Sequence, residues 1–200
     1  MKRMDWSGLG QSTTGFTLVE VLAVIVMVGV LAAIATPSWV AFNERQRLNA
    51  ANNQIYQALR QAQNQAKLRK EAWQASFRQK DGKVQWAVNR DESDPDKILW
   101  QDFPGDRISE SIQINTGTNG TNLPSPSSGF FRLLFNYKGC PVSASGYTCT
   151  NSGLSFPSPE TATSKKPRII LSNKNGSPAK RCIKILTPLG SMVSAQDEDC

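Results

Sequence analysis

The chain has 200 residues, 39% of them hydrophobic and 20% charged, enough for one modest domain beside an anchor. Its formal charge is +7, and it holds no histidine, which excludes the commonest general base, Ser-His-Asp catalysis and histidine-ligated metals. No Gly-x-x-x-x-Gly-Lys-Ser/Thr loop is present either, so the sequence reads as a non-enzyme without cofactor or metal, reliant on other proteins for nucleotide energy.

In chain order, Lys2 and Arg3 come first, ahead of an apolar block from Phe16 to Ala35. At about 1.5 Å per residue this block matches the roughly 30 Å of a bilayer core. Positive charge on its leading side holds the first residues in the cytoplasm while the rest crosses. Ala33-Ile34-Ala35 offers a secretory A-x-A cleavage site, which would release a protein beginning at Thr36. Two features count against that route. The block exceeds the about 7 to 15 residues of a signal-peptide core, and Glu20 sits inside it near its start. A carboxylate costs about 2.5 to 3.5 kcal/mol at the centre of a membrane helix and less near an end, so one kept here implies a specific partner. A cut between Gly15 and Phe16 would set a new ammonium at the membrane depth of Glu20, where neighbouring subunits can pair amine with carboxylate.

Gly15-Phe16-Thr17-Leu18-Val19-Glu20-Val21-Leu22, followed by the apolar run and Pro37, closely resembles the processing signature of type IV prepilins and type II secretion pseudopilins. The resemblance implies that a membrane prepilin peptidase cuts after Gly15 and methylates the amine of Phe16, and that Glu20 guides docking of subunits. It also implies the remaining partners: other pilin subunits, an inner-membrane assembly platform and the membrane itself. Residues 1–15 are then a leader and 16–37 a transmembrane and assembly helix.

Beyond Ala35 the pattern turns amphipathic. Ala41, Leu48, Ile55, Leu59, Ala62, Ala66 and Trp73 recur at helical steps, while Asn52, Asn53, Gln57, Arg60, Gln61 and Gln63 are assigned to the opposite, polar face. A continuous helix from Phe16 to about Arg69 would measure roughly 80 Å, with Pro37 permitting a kink where its missing N–H interrupts the ladder. Residues 38–70 therefore form the amphipathic half of the helix, and 71–200 a β-rich domain.

From Trp73 the period becomes two. Trp73, Ala75 and Phe77 alternate with polar residues, Asp81-Gly82 makes a hairpin turn, and Val84, Trp86 and Val88 return. Asp91, Glu92, Asp94 and Asp96 cluster around Pro95, which reads as a solvated turn rather than a cation loop. Further strands are predicted at Ile98 to Phe103, Ile108 to Asn115, Phe130 to Tyr137, Arg168 to Ser172 and Cys182 to Leu186, separated by loops at Thr116 to Gly129 and Ser155 to Lys166. The fold class is α+β: one long N-terminal helix packed on a small antiparallel domain of two sheets.

Cys140, Cys149, Cys182 and Cys200 lie beyond the membrane block, where disulfides are the default; three pairings exist, and local closure favours Cys140 with Cys149 and Cys182 with Cys200. From Lys165 to Lys184 the charged residues are Lys165, Lys166, Arg168, Lys174, Lys180, Arg181 and Lys184, with no carboxylate among them. The run reads either as lysines guarding a strand edge or as a phosphate-contacting face. The order of one helix followed by strands, with Thr187-Pro188-Leu189-Gly190 near the end, also resembles the H-type or FimT-like minor pilins. Some of these are thought to bind DNA through a Gly-Arg-x-Arg motif. Here Gly190 is followed by Ser191, Met192 and Val193, so the alternative of a filament-borne DNA receptor rests on the basic run alone. The expected location is the inner membrane, single-pass, with the C-terminal domain in the periplasm and the assembled filament periplasmic or extracellular.

Overall fold

The computed structural model describes residues 15–105, 107–125, 129–156 and 165–200. Residues 1–14 of the leader expected at 1–15, with Lys2 and Arg3, lie outside them, as does most of the loop predicted at 155–166. The chain divides into two units, Met1–Phe42 and Asn43–Cys200. Helix α1 (Leu18–Arg69) runs through both and is unbroken at position 37. In the first unit its apolar side chains are exposed, Leu22 by 58% and Met27 by 66%.

In the second unit the distal part of α1 buries Leu48, Ala51, Ile55, Ala58, Leu59, Ala62 and Ala66. This is the stripe read from the sequence, widened by Ala51 and Ala58 and shortened by Ala41, which is exposed. Asn52 and Gln63, assigned above to the polar face, are buried instead. An apolar stripe of 100° or more, as a core-facing helix needs, takes in these flanking positions. Four of its residues are alanines, Ala51, Ala58, Ala62 and Ala66, all fully buried.

Two antiparallel sheets supply that cover. The elements after α1 are β1 (Trp73–Lys80), β2 (Lys83–Arg90), β3 (Gln101–Asp102), the single-turn helix α2 (Ile108–Ser111), β4 (Ile112–Ile114), β5 (Phe130–Phe135), β6 (Pro141–Val142), β7 (Arg168–Asn173), β8 (Lys180–Ile185) and β9 (Met192–Gln196). One sheet has the order β3-β2-β1-β5-β6 and the other β4-β7-β8-β9. Ala75, Phe77, Val84, Trp86, Leu133 and Phe135 of the first sheet and Ile169, Leu171, Ile183 and Ile185 of the second share one core with the helix stripe. Asp81 and Gly82, both at positive φ, close the β1–β2 hairpin as predicted, with Lys80 opposite Lys83.

Two predicted strands differ in the structure. Ile98 to Phe103 pairs only through Gln101 and Asp102, because Ile98 and Trp100 are used to cover the outer face of the first sheet against Ala87 and Phe130. Trp100 packs edge-on to Phe130 at 5.7 Å and donates its indole N–H to the Pro95 carbonyl at 2.9 Å. Ile108 to Asn115 begins as a helical turn. A strand there would have put Glu110 on the same buried face as Ile108, Ile112 and Ile114. The turn delivers Glu110 to Lys83 at 3.1 Å, and this hydrogen bond raises the pKa of the lysine above its ordinary value. The short strands β6 and β9 were not foreseen.

Gln63 joins helix and sheets. Its Nε2 donates to the Gly139 carbonyl at 2.9 Å and to the Gly190 carbonyl at 3.3 Å, and its Oε1 accepts from Arg60 at 3.2 Å. Gly139 lies in the β5–β6 turn and Gly190 in the β8–β9 turn, so one side chain ties a turn of each sheet to α1. Gly190 has φ +84°, and a Cβ there would stand 2.4 Å from Gln63 Nε2 and 3.0 Å from the Gly139 oxygen. Left-handed strain of about 1 to 2 kcal/mol combines with the lost bond. Gly190→Ala is therefore expected to lower the thermal midpoint by roughly 5 to 10 °C, read by circular dichroism. An unchanged midpoint would show that the contact is dispensable.

Candidate assembly site and basic face

Helix α1 starts inside the sequence motif. Gly15, Phe16 and Thr17 are exposed and non-helical, and Leu18 opens the helix. The Thr17 hydroxyl accepts the Glu20 backbone N–H at 3.3 Å, and the Thr17 carbonyl accepts from Val21 at 3.2 Å. Thr17 is thus the N-cap, and Glu20 stands three residues on, in the first turn, where a carboxylate complements the positive helix end. Among the described residues the Glu20 carboxylate forms no ion pair. A Cβ built on Gly15 would meet nothing within 4 Å, so this chain's own described packing makes no demand for glycine there. The peptide bond before Phe16 lies in exposed, irregular backbone, a form a protease can bind extended. At Pro37 only the backbone path is described, and it remains helical.

The cysteines pair as Cys140–Cys149 and Cys182–Cys200, with Cα atoms 5.3 and 5.7 Å apart. Asn136 holds the first loop: its Oδ1 accepts the Lys138 and Cys140 N–H groups, each at 3.1 Å. The second bond fastens the end of the chain to β8.

The basic run is not one face. Antiparallel register sets Arg168 opposite Lys184 and Ser172 opposite Lys180, on the side of the second sheet that also carries Cys182, whereas Arg181 points toward α1. Arg181 Nε donates to Asn49 Oδ1 at 2.5 Å, and its Nη1 lies 3.8 Å from Asp197. Arg168 spends its guanidinium on three carbonyls: Cys200 at 2.6 Å, Asn119 at 2.8 Å and Gly120 at 3.3 Å. Lys184 donates to the Asp199 carbonyl, Lys165 to Asn119 and Lys174 to the Gly82 carbonyl. Lys166 contributes its carbonyl, which accepts from Asn122 at 3.1 Å. Lys165, Arg168 and Lys180 do meet, in a concavity of about 370 Å³, but Asp197 and Glu198 line the same space. The acidic cluster is similarly occupied. Asp91 pairs with Arg132 at 2.6 Å, Glu92 accepts the Ser93 and Asp94 N–H groups, and Asp94 accepts that of Asp96.

The family model for the prokaryotic N-terminal methylation motif matches residues 11–36. No curated protein and no solved structure matches the chain. The matched motif, followed by one long helix packed on antiparallel sheets, is similar to the arrangement of type IV pilin-like proteins.

A loop of this length closed by a disulfide restrains the unfolded chain by about 3 kcal/mol. Replacing Cys182 and Cys200 together by serine is expected to cost that order of stability and to expose the segment around Asp197 to proteolysis. Equal melting curves and equal digestion rates for variant and parent would contradict the fastening role.

Proposed function

We propose that this chain is a minor pilin or pseudopilin of a type IV pilus or type II secretion filament, cut after Gly15, N-methylated on Phe16 and docked through Glu20. The observation that carries this reading is the geometry at the start of α1, where a capped helix end places Glu20 in the first turn, close behind the bond whose hydrolysis would free an ammonium on Phe16. The motif match over residues 11–36 supports the processing step. Glycine at position 15 supports it too, since among the described residues no packing calls for the absence of a side chain there.

Assembly in this reading is burial without catalysis. The exposed apolar helix of the first unit, residues 16–37 and onward to Phe42, resides in the inner membrane and then among sister helices. Its apolar surface is hidden in both places, so packing and polar pairing, not hydrophobic transfer, decide which it prefers. Glu20 supplies the bias. In lipid it is an isolated carboxylate near the membrane face, and in the filament it meets the Phe16 ammonium of a neighbour at short range and low dielectric. The second unit, with its two disulfides, suits the oxidising periplasm.

The DNA-receptor reading has less support. Arg168 is held by backbone carbonyls, and Asp197 and Glu198 face the same concavity as Lys165 and Lys180. Filter binding at about 50 mM salt, where phosphate contacts are strongest, is expected to retain no duplex DNA; retention that falls steeply with added salt would restore that reading.

For the leading reading, N-terminal sequencing and mass measurement of the membrane-fraction protein should give methylated Phe16. Glu20→Ala should leave expression and membrane residence intact and reduce recovery in sheared filaments at least about tenfold, a factor worth 1.4 kcal/mol. A native protein that starts at Thr36, or normal incorporation of Glu20→Ala, would defeat the assignment.

A further inference from the structure

The last turn of the first unit carries two exposed rings. Trp39 is 66% exposed and Phe42 51%, and their centroids lie 6.0 Å apart with the planes tilted by 35°. Three residues apart on α1, they share one face and form a continuous aromatic surface. Between Phe16 and Trp39 the chain has no other aromatic residue, so the rings are confined to one end of the apolar helix.

Their position along the helix identifies what they meet. Helix α1 opens at Leu18, and its backbone stays helical through position 37. At about 1.5 Å per residue, Trp39 therefore stands roughly 31 Å along the axis from Leu18. The hydrocarbon core of a bilayer is about 30 Å thick. No side chain over residues 21–43 is charged, and Glu44, Arg45 and Arg47 follow directly. The rings thus sit where an apolar length that matches the bilayer gives way to charge. An indole joins an apolar ring to a polar N–H, and tryptophan is enriched at that boundary, at the level of the lipid headgroups. Sister helices would cover an aliphatic side chain at this position equally well, whereas a boundary between hydrocarbon and headgroups favours a ring with one polar end.

We propose that Trp39 and Phe42 form an interfacial anchor, which before assembly lies in the headgroup layer of the leaflet farther from the leader and fixes how deeply α1 is inserted. With that end fixed, the length of the helix sets the non-helical residues Gly15, Phe16 and Thr17 at the opposite headgroup layer, with Glu20 beside them in the first turn. The bond to be cut and the carboxylate that docks are then held at one membrane surface by two rings at the other. The inference rests on the reading of this chain as a subunit that waits in the inner membrane.

The test uses the full chain in a strain that makes no filaments, so that every copy is membrane-resident. Asn43→Cys supplies a thiol just beyond the rings, and the native cysteines, all in disulfides, do not compete with it. Spheroplasts are treated with a membrane-impermeant maleimide, and labelling is read as a fraction of that reached in detergent. Replacing Trp39 and Phe42 together by leucine keeps the helix apolar and removes the interfacial preference. The helix is then free to sink by about one turn, and labelling is expected to fall at least about threefold. Replacing both by tyrosine, which keeps rings with a polar end, is expected to give the labelling of the parent. Equal labelling of the leucine variant and its parent would overturn the anchor alone, as would a loss that tyrosine does not restore. A chain that begins at Thr36 and is recovered outside the membrane would overturn both readings.

Discussion

Burial of one α1 stripe under two sheets at once is the constraint on which the rest of the second unit depends. Ala51, Ala58, Ala62 and Ala66, with Leu48, Ile55 and Leu59, share one core with both sheets. The turns after β5 and β8 reach the helix surface, and a single amide, Gln63, bonds both. Both turns carry glycine at positive φ at the contact. A Cβ on Gly139 would stand 2.1 Å from Lys67 Cε, and one on Gly190 would collide with Gln63 itself. Helix composition and turn composition are thus two sides of one geometric requirement.

The outer parts of the domain are held by a network of polar groups centred on buried Arg132, whose Nε has no hydrogen-bond partner. Arg132, 7% exposed, donates from Nη1 to Asp91, to Gln74 Oε1 at 2.8 Å and to the Glu92 carbonyl at 3.2 Å. Gln74 Nε2 donates to the same Glu92 carbonyl and to Ser76. Together they staple the segment after β2 onto β1 and β5. Removing one member would leave a buried charge or amide unmatched, which costs more than the bond contributes. On the second sheet Arg168 and the Cys182–Cys200 bond play the corresponding part for the last residues.

What could be read from sequence follows from which signals are local. The helix, its limits and the Asp81-Gly82 hairpin were legible because period and turn chemistry are written in adjacent residues. The strands at 130–135, 168–173 and 180–185 were legible as apolar runs. The turn at Ile108–Ser111 was not, since only the position of Lys83, distant in sequence, explains why Glu110 must rotate outward. Nor was the two-residue strand β6, which is too short to carry a period, nor β9, whose five residues Met192–Gln196 show no apolar run. At the candidate assembly site the identities of Gly15, Phe16 and Glu20 were visible and the capping role of Thr17 was available in Thr17-x-x-Glu20, although it was not drawn. Buried Asn52 and Gln63 were invisible in composition. Position on the helix flank, not residue type, decides their burial.

The first unit poses a different problem, and its solution gives the molecule its proposed use. Leu22, Ile25, Met27, Leu31 and Ile34 are each more than half exposed along one helix, far beyond the apolar patch a water-surrounded surface tolerates. Lipid and a bundle of like helices both cover such a surface, and they cover it almost equally well. Apolar burial therefore cannot choose between them. A group whose free energy differs between the two surroundings can, and along residues 16–42 the charged side chains are limited to Glu20. In the proposed reading a small difference then suffices to move the subunit, because the large terms cancel, and the direction of movement would be set by whether a cationic partner is within reach of that one carboxylate.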